Sequence, residues 1–172
     1  MTSRHLQIYD DLGKDIEEAV VLGYNACVLA YGQSGSGKTY TILGTQDAPG
    51  LAPRMSAGLL ARLQDRYRPD DICASDFSLT LSLVEIYNER VRDLLAPTPC
   101  PRPPPAFTRH AVSSAKEAWS LLARGQACRS AAPTPSHAHS SRSHALLTLE
   151  VVQPHAHTRS ALTQVDLAGS CA

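Results

Sequence analysis

The sequence predicts an α/β fold built as a mixed, mainly parallel sheet flanked by helices. Three observations lead there. Strand-like runs alternate with segments of helical periodicity along the chain. One run, Ala26-Cys-Val-Leu-Ala-Tyr31, is continuously apolar over six residues and ends at Gly32, as a strand buried on both faces would read. A glycine-rich segment, Gly32 to Thr39, then separates that strand from the next helix.

In chain order, Leu12, Ile16, Ala19 and Val20 recur at helical spacing between Asp11 and Leu22, and Gly23 follows as a stop. A second helix should begin within Gly37–Leu43, break at the loop Gly44–Gly50, and resume from Met55 to Tyr67. Phe77–Tyr87 alternates apolar and small polar residues over a long strand. Asn88-Glu89 before Arg90–Leu95 is equally readable as a turn between two strands or as a bulge within one. Residues 97 to 105 hold six of the twelve prolines, making 96–106 an irregular surface loop. Ser114–Ala127 returns to helix, with Ser114 and Glu117 at capping-box spacing. A polar stretch from Arg129 to Arg142 precedes two closing strands, Ala145–Val152 and Ser160–Val165.

The 172 residues, 43% of them hydrophobic, suit one domain with one core. Lys+Arg and Asp+Glu are each 16, so the overall balance calls for neither nucleic acid nor a membrane surface. The charges are unevenly placed. Residues 1–100 carry 9 basic and 13 acidic side chains, and residues 101–172 carry 7 and 3, which suits an acidic partner for the later part. Five cysteines without a C-x-x-C pair give neither a disulfide framework nor a zinc knuckle, and no run approaches a membrane span. A reducing location, cytosolic or nuclear, is expected.

Gly32-Gln-Ser-Gly-Ser-Gly-Lys38-Thr39 satisfies G-x-x-x-x-G-K-[ST] between a strand and a helix, the context in which that pattern is a phosphate loop. Its glycines let successive backbone amides turn toward an anion. Lys38 supplies a point charge for β- and γ-phosphates, and the Thr39 hydroxyl can ligate Mg2+. Val165-Asp166-Leu-Ala-Gly169 ends a strand in D-x-x-G. An Asx turn fits that motif alone. Beside a phosphate loop it reads as a second nucleotide-sensing element, with Asp166 holding Mg2+ through water and the Gly169 amide facing the γ-phosphate. Ser140-Ser-Arg-Ser-His144 is either a polar loop or a hydroxyl-bearing segment that closes over the phosphate.

Two competing readings fail on residues. A guanine-specific N-K-x-D is absent, since Asn25 and Asn88 precede Ala and Glu. A metal site from His137, His139, His144, His155 and His157 lacks Cys or acidic companions at ligand spacing.

Four segments in order, Tyr24–Thr41, Ser82–Leu95, Ser140–His144 and Val165–Ser170, resemble the signature segments of kinesin motor domains, and the likeness covers nearly the whole chain. Tyr9–Gly13 and Gly50–Arg54 look most like transport kinesins with an N-terminal motor. The resemblance implies a P-loop NTPase, an incomplete motor core over 1–172 with the proline-rich loop 96–106 inside it. ATP and Mg2+ are the implied cofactors, microtubules the implied partner, and cytoplasm and cytoskeleton the implied location. By resemblance Gln33, Ser34, Gly35, Ser36, Gly37, Lys38 and Thr39 cradle phosphates, and Tyr40 packs against adenine. Ser140, Ser141 and Arg142 form the first switch and Asp166 and Gly169 the second, with Thr39, Ser141 and Asp166 around Mg2+.

The sequence departs from that family at three places. His137 stands where an asparagine is usual, and Cys171 replaces the glutamate that pairs with the switch arginine, so Arg142 is expected to lack a partner and hydrolysis to be slowed. The loop 96–106 replaces a small hairpin. With the chain stopping after the second switch and starting after the family's first strands, Ala26–Tyr31 is expected to form an open sheet edge, and a stepping motor is not expected. The alternative to a nucleotide-binding motor fragment is a non-catalytic binding module.

Overall fold

The computed structural model describes residues 4–67, 77–97, 107–130 and 139–170. His137, Cys171 and most of the proline-rich loop lie outside the described residues.

The chain opens with α1 (Arg4–Ile8), a five-residue π-helical segment (Tyr9–Gly13) and α2 (Lys14–Val21). The helical start therefore lies seven residues earlier than the apolar spacing indicated, because Leu6 and Ile8 stand two positions apart, a spacing that does not read as helical. Next come β1 (Ala26–Ala30), α3 (Lys38–Ile42) and α4 (Leu51–Arg66). Helix α4 buries Leu51, Met55, Leu59 and Leu63, one residue per turn, and starts four residues before the predicted Met55. Pro53 is tolerated there because the first-turn amides have no intrahelical acceptor.

Strands β2 (Ser78–Tyr87) and β3 (Arg90–Asp93) are two strands and not one bulged strand. Tyr87 pairs with Arg90, and Asn88 and Glu89 take φ of 48° and 63° between them. Two left-handed residues in a two-residue loop give a turn whose twist matches the flanking strands. The short strand β4 (His110–Ala111) pairs with β2. Helix α5 (Ala115–Ser130) begins where expected, with the Glu117 amide donating to Ser114 Oγ at 3.2 Å. The return contact goes one residue further back: Ser113 N and Oγ donate to Glu117 Oε2 at 2.9 and 2.8 Å, and these bonds hold the carboxyl below its ordinary range. After α6 (His139–Arg142), β5 (His144–Gln153) and β6 (Thr158–Asp166) form a hairpin.

The sheet order is β1-β6-β5-β2-β3, with β4 also on β2. It is mixed as predicted, but not mainly parallel: among the described strands β1–β6 is the one parallel pair. The short β2–β3 and β5–β6 connections permit only antiparallel neighbours.

One face of the sheet carries the core, where Leu81, Leu149 and Leu162, in register across β2, β5 and β6, are fully buried. Helix α5 reaches this face so closely that a Cβ on Gly125 would lie 2.2 Å from Leu83 Cδ2. The opposite face is half-exposed, as the regular alternation of burial along β5 shows. Strand β1 follows the same rule, which corrects the expectation of burial on both faces. Ala26, Val28 and Ala30 pack against the core, whereas Cys27 is exposed and Leu29 is 61% exposed. Among the described strands β1 pairs with β6 alone, so it stands at the sheet edge as expected.

Candidate functional site

The parallel β1–β6 pairing places Ala30 opposite Asp166, so the glycine-rich loop after β1 and the acidic segment ending β6 emerge at the same end of the sheet. In an α/β sheet that end is where ligands bind. The two segments are then joined directly. Gln33 bridges to Ser170, and the Ser170 amide donates to Gly32 O at 3.1 Å.

Within the loop, Gly37 takes φ 90° and ψ 16° as the N-cap of α3, a left-handed conformation that glycine adopts without steric cost. Lys38 Nζ donates to the carbonyls of Gly32 and Gln33 at 2.8 and 2.9 Å, so the cation is folded across its own loop. A cavity of about 290 Å³ opens here, bounded by Ser34, Lys38, Thr39, Tyr40 and Ser141.

Thr39 Oγ1 donates to Asp166 Oδ2 at 2.6 Å, uniting, across 127 positions, two of the three residues expected around Mg2+. Asp166 is buried, and its second oxygen, Oδ1, has no hydrogen-bond partner among the described residues. A buried carboxylate oxygen without a donor is costly unless something supplies one. A magnesium-bound water is such a donor, and with the Thr39 hydroxyl beside it the residues present fit a hydrated magnesium ion.

Ser141 lines the cavity, and its carbonyl accepts from the Gly169 amide at 2.7 Å. The two predicted switch segments thus touch each other. Gly169 has no room for a side chain, since a Cβ would sit 2.2 Å from Ser34 Oγ. Ser140 lies in α6, with its side chain outside the described part. Arg142 is exposed and is not part of the cavity wall. Tyr40 is 52% exposed at the cavity rim.

Two residues take roles at the site that the sequence reading does not give them. Arg129, 2% exposed, donates from Nη1 to Asp166 Oδ2 at 2.7 Å, lies 3.5 Å from Glu85 Oε1, and reaches Ser143 O at 3.0 Å. From the sequence it reads as the first residue of a polar stretch. Its signal was periodic: Ala118, Leu121, Leu122 and Gly125 form the buried stripe of α5, and Arg129 is the next position on it. An arginine on an apolar stripe needs a buried acid. His144 is the second, with Nδ1 accepting from the Ala168 amide at 3.1 Å, which fixes the ring proton on Nε2 and steadies the turn after Asp166.

The kinesin motor domain family model matches residues 1–172. The chain belongs to the kinesin motor family. It is 41% identical over 182 residues to kinesin-like protein Klp98A of Drosophila melanogaster, an alignment covering 95% of this chain and 14% of that protein. It is 39% identical over 186 residues to StAR-related lipid transfer protein 9 of Homo sapiens, covering 95% and 4%, and 36% identical over 186 residues to kinesin-like protein unc-104 of Caenorhabditis elegans, covering 95% and 12%. The kinesin chain thus spans a small part of these relatives' lengths. Its fold is the P-loop NTPase fold, and the family's role is that of a microtubule motor. Among the described residues no helix is long and apolar enough to cross a membrane.

Proposed function

We propose that this kinesin chain binds Mg-ATP, with Gln33–Thr39 holding the phosphates, Thr39, Ser141 and Asp166 around the metal, and Tyr40 beside the base. The observation that carries this reading is the 2.6 Å Thr39–Asp166 hydrogen bond at the mouth of the loop, with Asp166 Oδ1 unpartnered beside it. Magnesium would neutralise phosphate charge there. The chain's own residues bind and orient. Lys38 exchanges two neutral carbonyl acceptors for phosphate oxygens, a stronger charge-assisted contact. For the Gly169 amide to reach a γ-phosphate it must leave the Ser141 carbonyl, so phosphate occupancy and the contact between the two switch segments compete for one donor. ATP hydrolysis, with Ser140, Ser141, Arg142 and Gly169 in the switch roles, and microtubule-based movement complete the proposed role, by analogy with the family.

The test is thermal unfolding of the chain with and without Mg-ATP, with Lys38→Ala in parallel. At a hundredfold excess over Kd, binding stabilises the folded state by about 2.7 kcal/mol, a rise of roughly 5–10 °C for a chain of this size. The rise should vanish in Lys38→Ala. A second reading, a binding module without turnover, draws on the β1 edge and its 61%-exposed Leu29. Identical traces for both proteins, with and without nucleotide, would leave that reading and remove the first.

A further inference from the structure

Beside the phosphate cavity lies a second one of about 430 Å³, whose walls include Arg4, His5, Ile8, Ser36 and Thr41. The two cavities share Gly37 and Tyr40, so the Tyr40 ring stands at the passage between them. Ile8, Ala48 and the two rings supply apolar wall to the second cavity, and Arg4, Ser36 and Thr41 supply polar groups. That mixture of apolar wall and hydrogen-bonding groups suits a flat heteroaromatic ring with its sugar.

Tyr40 is half in solvent, on a helix of five residues. What braces it is His5 of α1. The ring centroids are 4.4 Å apart with the planes inclined at 51°, and His5 is only 4% exposed. A ring already fixed in place loses less freedom when a ligand stacks on it, so the brace bears on affinity without touching the ligand's phosphates.

We propose that His5 is a positioning residue for nucleotide binding. It holds the Tyr40 ring as a stacking platform for the base of a nucleoside triphosphate whose phosphates occupy the Gly32–Thr39 loop. The site prefers a purine, whose stacking face is larger than a pyrimidine's. This inference rests on the Mg-ATP reading above.

Calorimetric titration of the whole chain with Mg-ATP, Mg-CTP and magnesium tripolyphosphate separates the base contribution from the phosphate contribution. His5→Leu keeps volume and removes the ring, and His5→Phe keeps the ring. His5→Leu should weaken ATP about twofold to tenfold, the range expected for one aromatic pair, and narrow the ATP-to-CTP preference. Tripolyphosphate binding should stay unchanged, and His5→Phe should bind ATP as the unsubstituted chain does. Equal losses for ATP and tripolyphosphate would make His5 a general structural residue and overturn the proposal, as would an unaltered ATP affinity in His5→Leu. If His5→Leu does not fold, a Phe variant that folds yet binds ATP no more tightly than tripolyphosphate overturns it equally. Lys38-dependent tripolyphosphate binding with no added affinity for ATP defeats the base platform and leaves the phosphate site standing. Binding of neither compound to the unsubstituted chain defeats both.

Discussion

Replacing Arg129 by methionine should be among the most damaging single changes in this chain. The guanidinium lies 2.7 Å from Asp166 Oδ2 and 3.5 Å from Glu85 Oε1, with all three side chains at most 3% exposed. At an effective dielectric constant of about 20 these separations correspond to Coulomb attractions of roughly 6 and 5 kcal/mol. Desolvation of three ions, several kcal/mol each, offsets most of that sum, so the intact cluster adds little net stability. Deleting the cation alone is different. Arg92, 3.9 Å from Glu85, still faces one carboxylate, while Asp166 is left buried without its guanidinium. The expected loss is about 3–5 kcal/mol. With a urea slope near 2 kcal/mol per molar, the unfolding midpoint should fall by roughly 2 M. Adding Asp166→Asn to Arg129→Met should recover about 1 kcal/mol or more, because the stranded charge is gone. A fall below about 1 kcal/mol in the single variant, or strictly additive losses in the double, would refute the reasoning.

Gln164 is fully buried in β6, and neither side-chain polar atom has a partner among the described residues. Gln164→Met should therefore raise stability by about 1 kcal/mol, seen as a rise of roughly 2–4 °C in the melting midpoint. Gly125→Ala, which in an exposed helix would gain about 1 kcal/mol, should instead lose about 1–3 kcal/mol through the Leu83 overlap, and chemical unfolding gives the sign. Burial lifts the Glu17 carboxyl above its ordinary range against the opposing hydrogen bonds of Tyr9 and Arg62, and burial with the Glu17 contact lifts the Tyr9 phenol to about 12. A carboxyl with a raised folded value contributes stability below its unfolded pKa of about 4.3 and loses it as pH rises through the folded value. The stability of the unsubstituted chain relative to Glu17→Gln should thus decline from acid toward neutral pH, and parallel pH profiles of the two urea midpoints would contradict the assignment.

Much of the candidate site's geometry was legible because it is local. A phosphate loop is eight consecutive residues whose backbone conformations follow from where the glycines stand, and Gly37 adopts the left-handed turn such a loop needs. The turn at Asn88-Glu89 was visible too, but whether it closes a hairpin or kinks one strand depends on which backbone groups find partners. The register of Tyr87 with Arg90 decides that. Arg129 could be found only from its place on the α5 stripe, since its acids come from β2 and β6.

By itself the sequence determined the glycine-rich loop between strand and helix, the alternation of strands and helices, and the family likeness, because each rests on short-range spacing. The tertiary structure decided the rest. It made the sheet predominantly antiparallel, left one face of β1 exposed, seated Arg129 on Asp166, and set His5 against Tyr40. These depend on contacts between residues tens of positions apart, where packing geometry and the pairing of buried charge select among partners that the local pattern leaves equivalent.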